Sequence, residues 1–446
     1  MASIPQVSRA MRRLFEEEAE PLARQVGLRQ RTIRLALLAY LLVLGWWQQP
    51  QAGPSALARF GGSLGLSLEK QEVDCHFTER TALWLLALLR RAVQVVVCAQ
   101  GVALPLLQQF TAVLVEDGST ISLPAALKRV WAGCGGNTAK QTKAESQTEA
   151  ALKVTVRFDL LGGRLDGPHV QAGRQHELRS VLREQRMPRG SLWLADLGYW
   201  TLKWLRSLAD QGVYFLLRYK AGIVLWCEGQ RLDLLEVLPQ QVGARLELAV
   251  EVGANKVLRG VRLLAERVPE EVAQQREARV REYARTHGKV LNPLVLELTK
   301  WTLVVTNVPA SMLSIEQAFA LLRARWQVEL LFKLWKEAAV VDEWTGRKPA
   351  RVLCEVYAKL LAMVVQHWVL LLACWDDPHR SLSGAAEVVR EQLPVLVQGV
   401  VGRHLSLQRA LRILISSVQG GCSIPARPTR PSTSRRLQRV WNDGLT

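Results

Sequence analysis

The sequence is short of acids, of paired metal-binding residues and of long apolar runs. Asp and Glu number 40 against 58 Lys and Arg, a formal net charge of +18. That imbalance points to a polyanionic partner, nucleic acid first and an anionic membrane surface second. The seven cysteines, Cys75, Cys98, Cys134, Cys227, Cys354, Cys374 and Cys422, include no C-x-x-C pair, and the seven histidines include no H-x-x-x-H. The usual zinc spacings are therefore excluded, and scattered cysteines with apolar flanks suit a reducing cytosol. No segment has the G-x-x-x-x-G-K-[ST] spacing of a phosphate cradle, so the Gly-rich then polar stretch 133–150 reads as a loop. The longest apolar runs, 35–47 and 360–375, fall short of the roughly 20 residues needed to span a bilayer, and both read as buried core helices. The N-terminus is charged and lacks the apolar core of a signal peptide. There is no internal repeat.

What is present is a chain of 446 residues, 49% hydrophobic, long enough for two or three domains. Residues 1–104 read as helical. A short helix, a Gly-containing turn and a long helix over 78–97 are compatible with a helix-turn-helix DNA reader. From Thr111 the pattern turns to strand: 112–118, then 152–160 and 164–170 about the Gly162-Gly163 turn, 191–196 and 213–218. Helices are expected over 175–185 and 202–209, which makes this region an α/β core with a mixed sheet. Strands over 224–226, 246–252 and 257–264 and a charged segment 270–287 interrupt it, and a strand at 301–306 resumes it. The organisation expected is a helical DNA-binding domain (1–104), a catalytic core (105–219 and 301–345), a β-rich insertion (220–300), a C-terminal helical region (346–422) and a basic, Pro-rich disordered tail (423–446).

Residues 321–336, LLRARWQVELLFKLWK, predict one helix, opened by a Ser314–Gln317 capping box. Arg325, Glu329, Lys333 and Lys336 fall within an arc of about 80° on a helix otherwise almost wholly apolar. Alone, this is an i,i+4 ion pair on a solvated face. Two strands upstream change its meaning, because each ends on an aspartate, Asp117 and Asp196. Glu116 competes with Asp117, but strand phase puts Val113, Val115 and Asp117 on one face. Three carboxylates brought together repel one another unless divalent cations neutralise them. Oxygen donors select Mg²⁺ or Mn²⁺, and two such ions serve in-line phosphoryl transfer. Arg325 and Lys336 then suit a DNA phosphate beside the acids.

These motifs resemble the DDE transposases of bacterial insertion sequences, specifically the insertion-sequence-four group, over roughly residues 105–370. Asp117-Gly118-Ser119-Thr120 looks like the first motif and Asp196-Leu197-Gly198-Tyr199 like the second. Arg325, Glu329 and Lys336 fit the third, which usually opens with a Tyr where this chain has Leu322. The resemblance implies a ribonuclease H-like catalytic core with a β-rich insertion between the second Asp and the Glu. It also implies cut-and-paste transposition by a nucleoid-associated homodimer that synapses two transposon ends and inserts them into target DNA. Trp301 resembles the residue that stacks on a flipped base in that family, and Lys333 shares the basic arc. Two other readings stand beside it: a nuclease of the same fold that does not join strands, and a non-catalytic DNA-binding protein.

Overall fold

A computed structural model describes residues 2–29, 33–134, 149–402, 404–424 and 431–444. Most of the expected 133–150 loop lies outside them. The N-terminal region is helical: α1 (Ile4–Arg12), α2 (Ala19–Gln25), α3 (Leu35–Gln48), α4 (Pro54–Ser63), α5 (Lys70–Cys75) and α6 (Glu79–Val93). Local chemistry sets these ends. Thr78 caps α6 by accepting from the Thr81 N–H, Glu79 sits in its first turn, and Arg90 and Arg91 sit in its last.

One ten-stranded sheet follows. Its strands are β1 (Val113–Leu123), β2 (Ala150–Asp159), β3 (Leu165–Ala172), β4 (Leu192–Ala195), β5 (Tyr214–Arg218), β6 (Leu225–Cys227), β7 (Gln230–Arg231), β8 (Arg245–Val252), β9 (Leu258–Arg267) and β10 (Trp301–Thr306). Their order across the sheet is β3-β2-β1-β4-β5-β10-β9-β8-β6-β7. The first three form an antiparallel meander, and β4 and β5 run parallel to β1. Residues 220–300 therefore extend the central sheet through β9, which pairs with β10. Between β4 and β5 lies α7 (Leu202–Asp210), and α8 (Glu270–Thr286) follows β9.

After β10 come α9 (Ile315–Ala324), α10 (Trp326–Ala338), α11 (Pro349–Cys374), α12 (Leu382–Glu391), α13 (Leu393–Val401), α14 (Leu407–Gly421) and α15 (Thr433–Asp443). The Ser314–Gln317 capping box opens α9 as expected. The single helix expected over 321–336 is broken at Arg325, where the Val328 N–H bonds the Arg325 carbonyl in a three-residue turn.

Other expectations need correction. Residues 175–185 form two 3-10 turns, Glu177–Arg179 and Val181–Arg183, each opened by the side chain before it, His176 and Ser180. Local side-chain caps compete with a helix here. The tail is ordered over Thr433–Asp443, because Leu437 buries itself and Trp441 packs on the core, while 425–430 lie outside the described residues. The run at 360–375 belongs to the 26-residue α11, which is long and apolar enough to cross a membrane; 94% of its most apolar window is buried inside the protein.

α11 is the axis of the larger core. Side chains of α1–α6, β1, β2 and α9–α15 form one continuous hydrophobic cluster around it. The Trp47 indole N–H bonds Gln366 Oε1 at 3.0 Å, tying α3 to α11. A second cluster lies on the opposite side of the sheet, between α7 and strands β4, β5, β8, β9 and β10.

Buried in α11, His367 donates from Nε2 to the Gly163 carbonyl in the β2–β3 turn at 2.7 Å. Burial pushes its pKa down to about 4. Below pH 6.5 the unfolded chain takes up this proton and the folded chain does not, so stability falls as pH drops from about 6.5 to 4. His367→Gln keeps an N–H donor and cannot titrate. Urea titrations across this range should show the wild type losing roughly 3 kcal/mol more than the variant, the full linkage for this shift.

Candidate active site

Alternation along β1 sorts its two acids. Val113 and Val115 enter the cluster around α11, whereas Leu114 enters the other. Glu116 follows Leu114 and is fully buried. Its Oε2 accepts from Arg157 Nε (3.1 Å) and Nη2 (2.9 Å) on β2, and from the Trp193 indole (3.2 Å) on β4. Glu116 is thus spent on a structural ion pair. Asp117 takes the opposite phase, on the side where α10 crosses β1. Here β1 runs on to Leu123, so Asp117 sits within the strand rather than at its end.

The parallel pairing of β1 and β4 places Glu116 opposite Ala195. Asp117 and Asp196 each follow that last pair by one residue, and the Asp196 charge acts on Asp117. Asp196 opens the 3-10 turn Leu197–Tyr199. Gly198 lies in that turn, with the end of the Glu177 side chain where its Cβ would be.

The third acid comes from α10. Arg325 Nη2 bonds Glu329 at 2.8 Å, and Arg325 Nη1 lies 3.9 Å from Asp117 Oδ2. Burial pushes the Asp117 pKa up to about 6, while the Gly118 N–H on Oδ1 (2.8 Å) and Arg325 pull it down. The charges of Asp196 and Glu329 push it up again. Asp117 therefore feels both other acids and one guanidinium. Among the described residues, no three His, Cys, Asp or Glu side chains form a ready metal cage. The donor chemistry of the three acids fits a hard divalent ion, and Arg325 supplies the positive charge between two of them.

The remaining expected residues spread outward. Lys336 lies 3.9 Å from Asp342, and Lys333, with its side chain 63% exposed, pairs with Glu337. Leu322 is buried in the core. Trp301 is buried too. Its indole N–H bonds the Pro239 carbonyl at 2.7 Å and Arg267 covers its ring at 4.6 Å, so its faces are taken by the protein.

The turn after α10 is held from α11. Lys359 Nζ, fully buried, donates to the carbonyls of Val340 (3.2 Å) and Glu343 (2.7 Å). Glu355 accepts from the N–H groups of Thr345 (3.0 Å) and Gly346 (3.1 Å). Sequence reasoning missed these supports and the Glu116–Arg157 pair. The signal for the latter was Arg157 between the apolar Val156 and Phe158.

Residues 108–365 match the family model of the transposase DDE domain. The chain belongs to the DDE insertion-sequence transposases. It is 23% identical over 387 residues to the transposase for insertion sequence element IS231F of Bacillus thuringiensis subsp. israelensis, covering 80% of this chain and 78% of that one. The transposase for insertion sequence element IS1151 of Clostridium perfringens is 23% identical over 281 residues, 58% of this chain and 57% of its own. The putative transposase InsL for insertion sequence element IS186A of Escherichia coli (strain K12) reaches 30% over 178 residues, 38% and 48% of the two chains. Membership makes this DDE transposase a DNA-processing enzyme with a mixed α/β structure, one large sheet and helices at both ends.

The buried pair beneath the acids is testable in this transposase. Arg157→Met leaves the buried Glu116 with the Trp193 indole but no cation, and should cost about 3–5 kcal/mol in urea unfolding. Glu116→Gln combined with Arg157→Met removes the orphaned charge and should recover most of that loss.

Proposed function

We propose that this transposase cleaves DNA at the ends of its own element and joins the freed 3′ ends to target DNA, using Asp117, Asp196 and Glu329 as its catalytic acids. One observation carries the reading: Arg325 reaches both Asp117 (3.9 Å) and Glu329 (2.8 Å), and Asp117, whose carboxyl is raised first by burial, also feels the charges of Asp196 and Glu329. The five strands β3-β2-β1-β4-β5, an antiparallel meander followed by two parallel strands, support a ribonuclease H-like core with the 220–300 insertion appended.

In this reading the three acids would hold Mg²⁺ or Mn²⁺, two ions in all. Such ions supply a stronger nucleophile and charge neutralisation at the scissile phosphate. The chain's own residues do the rest. Asp117 lies within a strand and is bonded by its neighbouring N–H, so its position is fixed before substrate arrives. Arg325 turns from the acids to the scissile phosphate, where its fork bonds two oxygens, and Lys336 adds a point charge. Lys333 reaches the same strand from the solvent side. Trp301 has no role in this scheme because its ring is enclosed. Oxygen attack on phosphorus, first from water and then from the freed 3′-hydroxyl, forms one P–O bond as the bond to the leaving oxygen breaks.

DNA is the partner, read in part by residues 1–104, and a homodimer brings two ends together. The +18 charge favours the polyanion.

Asp117→Ala, Asp196→Ala and Glu329→Ala should each abolish Mg²⁺-dependent cleavage of element-end DNA while leaving DNA binding in place. Cleavage retained by any of the three would remove that residue from the assignment. A pre-cleaved end with a free 3′-hydroxyl should yield strand-transfer products. Cleavage without joining would mark a nuclease instead. Binding should weaken with salt, log affinity falling by about 0.9 per phosphate neutralised for each log unit of salt.

A further inference from the structure

Arginines that tie elements together in this fold are each fastened by a backbone carbonyl. Arg157 donates to the Leu182 carbonyl, Arg262 to those of Val308 and Leu313, and Arg276 to those of Thr299 and Trp301. Arg325 is different. Its partners among the described residues are carboxylates alone: Glu329 Oε1, bonded by Nη2 at 2.8 Å, and Asp117 Oδ2, 3.9 Å from Nη1. The side chain is 16% exposed, so this pairing is shielded from bulk water. Its backbone lies at the junction of α9 and α10.

The guanidinium therefore takes the place of a metal ion's charge. An ion shared by Asp117 and Glu329 would hold an oxygen of each at about 2.1 Å. Arg325 engages those carboxylates already, and a single positive charge beside a double one in a part-buried site is repelled. Arginine cannot relieve that repulsion by losing its proton. It has to move, and all that holds it is the negative charge that the ion would neutralise. A phosphodiester, which accepts two N–H bonds from the fork, gives it somewhere to go.

We propose that Arg325 is an internal counter-ion, resting on Asp117 and Glu329 in the DNA-free protein and competing there with the divalent ion until a DNA phosphate draws it off. The proposal rests on the reading of Asp117, Asp196 and Glu329 as a metal site. Metal and DNA are then coupled: each raises the affinity for the other by the same factor, and Arg325 carries the coupling. Without DNA the acids are neutralised from within, which keeps a loaded nuclease centre from forming off its substrate.

The test is Mn²⁺ binding to the full chain without DNA, with free ion measured by electron paramagnetic resonance. R325Q should bind Mn²⁺ roughly tenfold more tightly than the wild type, within the usual range of coupling between sites. R325K keeps the charge but cannot span both acids, so it should show a smaller gain; it carries the test if R325Q melts early. K336Q removes an equal charge from the same helix and should leave Mn²⁺ affinity within about twofold of the wild type, because Lys336 pairs with Asp342 and not with the three acids. The reciprocal measurement uses a pre-cleaved element end that lacks its 3′-hydroxyl, at constant ionic strength. Mg²⁺ should raise the wild-type affinity for this duplex by more than it raises that of R325Q. Unchanged or weaker Mn²⁺ binding by R325Q and R325K overturns the proposal, as does an equal gain from K336Q, since net charge would then explain it. D117A that binds Mn²⁺ as the wild type does would instead overturn the reading of the acids, so the two failures are distinct.

Discussion

The arrangement of the acids depends on the two-residue alternation of β1. Adjacent carboxylates, Glu116 and Asp117, are sent to opposite sides of the sheet. One is spent internally against Arg157 and Trp193. The other faces α10, one residue beyond the last parallel pair of β1 and β4, as Asp196 is on its own strand. A slip of one residue would exchange them and bury the wrong carboxylate, and the buried Glu116–Arg157 pair penalises that slip strongly. The ion pair thus fixes the register of the strand that carries Asp117.

The third acid depends on packing at longer range. Glu329 lies on α10, whose C-terminal turn is anchored to α11 by Lys359 and Glu355. α11 in turn is the axis around which the N-terminal helices and the C-terminal helices pack. The charged stripe of α10 can then remain open to solvent because its apolar side, Val328, Leu331, Phe332 and Trp335, is buried in the core. The break at Arg325 lies between the capped helix α9 and the stripe, so the guanidinium that bridges Asp117 and Glu329 belongs to neither helix.

Much of this was legible in the residues. Strand phase distinguished Asp117 from Glu116, and the Asp196 turn was marked by its Gly. The Arg325–Glu329 spacing gave the i,i+4 contact that the structure has. Other features left weaker signals. The insertion strands carry ordinary alternation, which says nothing about whether they start a new sheet or extend an old one, and they extend it. The tail's Pro and Arg content hid an amphipathic helix whose single fully buried side chain is Leu437. Trp301 carried the pattern of a functional aromatic, but only packing reveals that Pro239 and Arg267 enclose it. A buried Lys such as Lys359 cannot be told from a surface one until its carbonyl partners, 16 and 19 residues away in sequence, are known.

The central claim is that Asp117, Asp196 and Glu329 form one divalent-cation site. Iron-mediated backbone cleavage tests it most directly: Fe²⁺ replaces Mg²⁺ on the full chain, ascorbate and peroxide are added, and the cut peptide bonds are mapped. The account predicts cuts clustered around residues 117, 196 and 329 and competed away by Mg²⁺. Cuts elsewhere, or the absence of cuts around any one of the three, would contradict it.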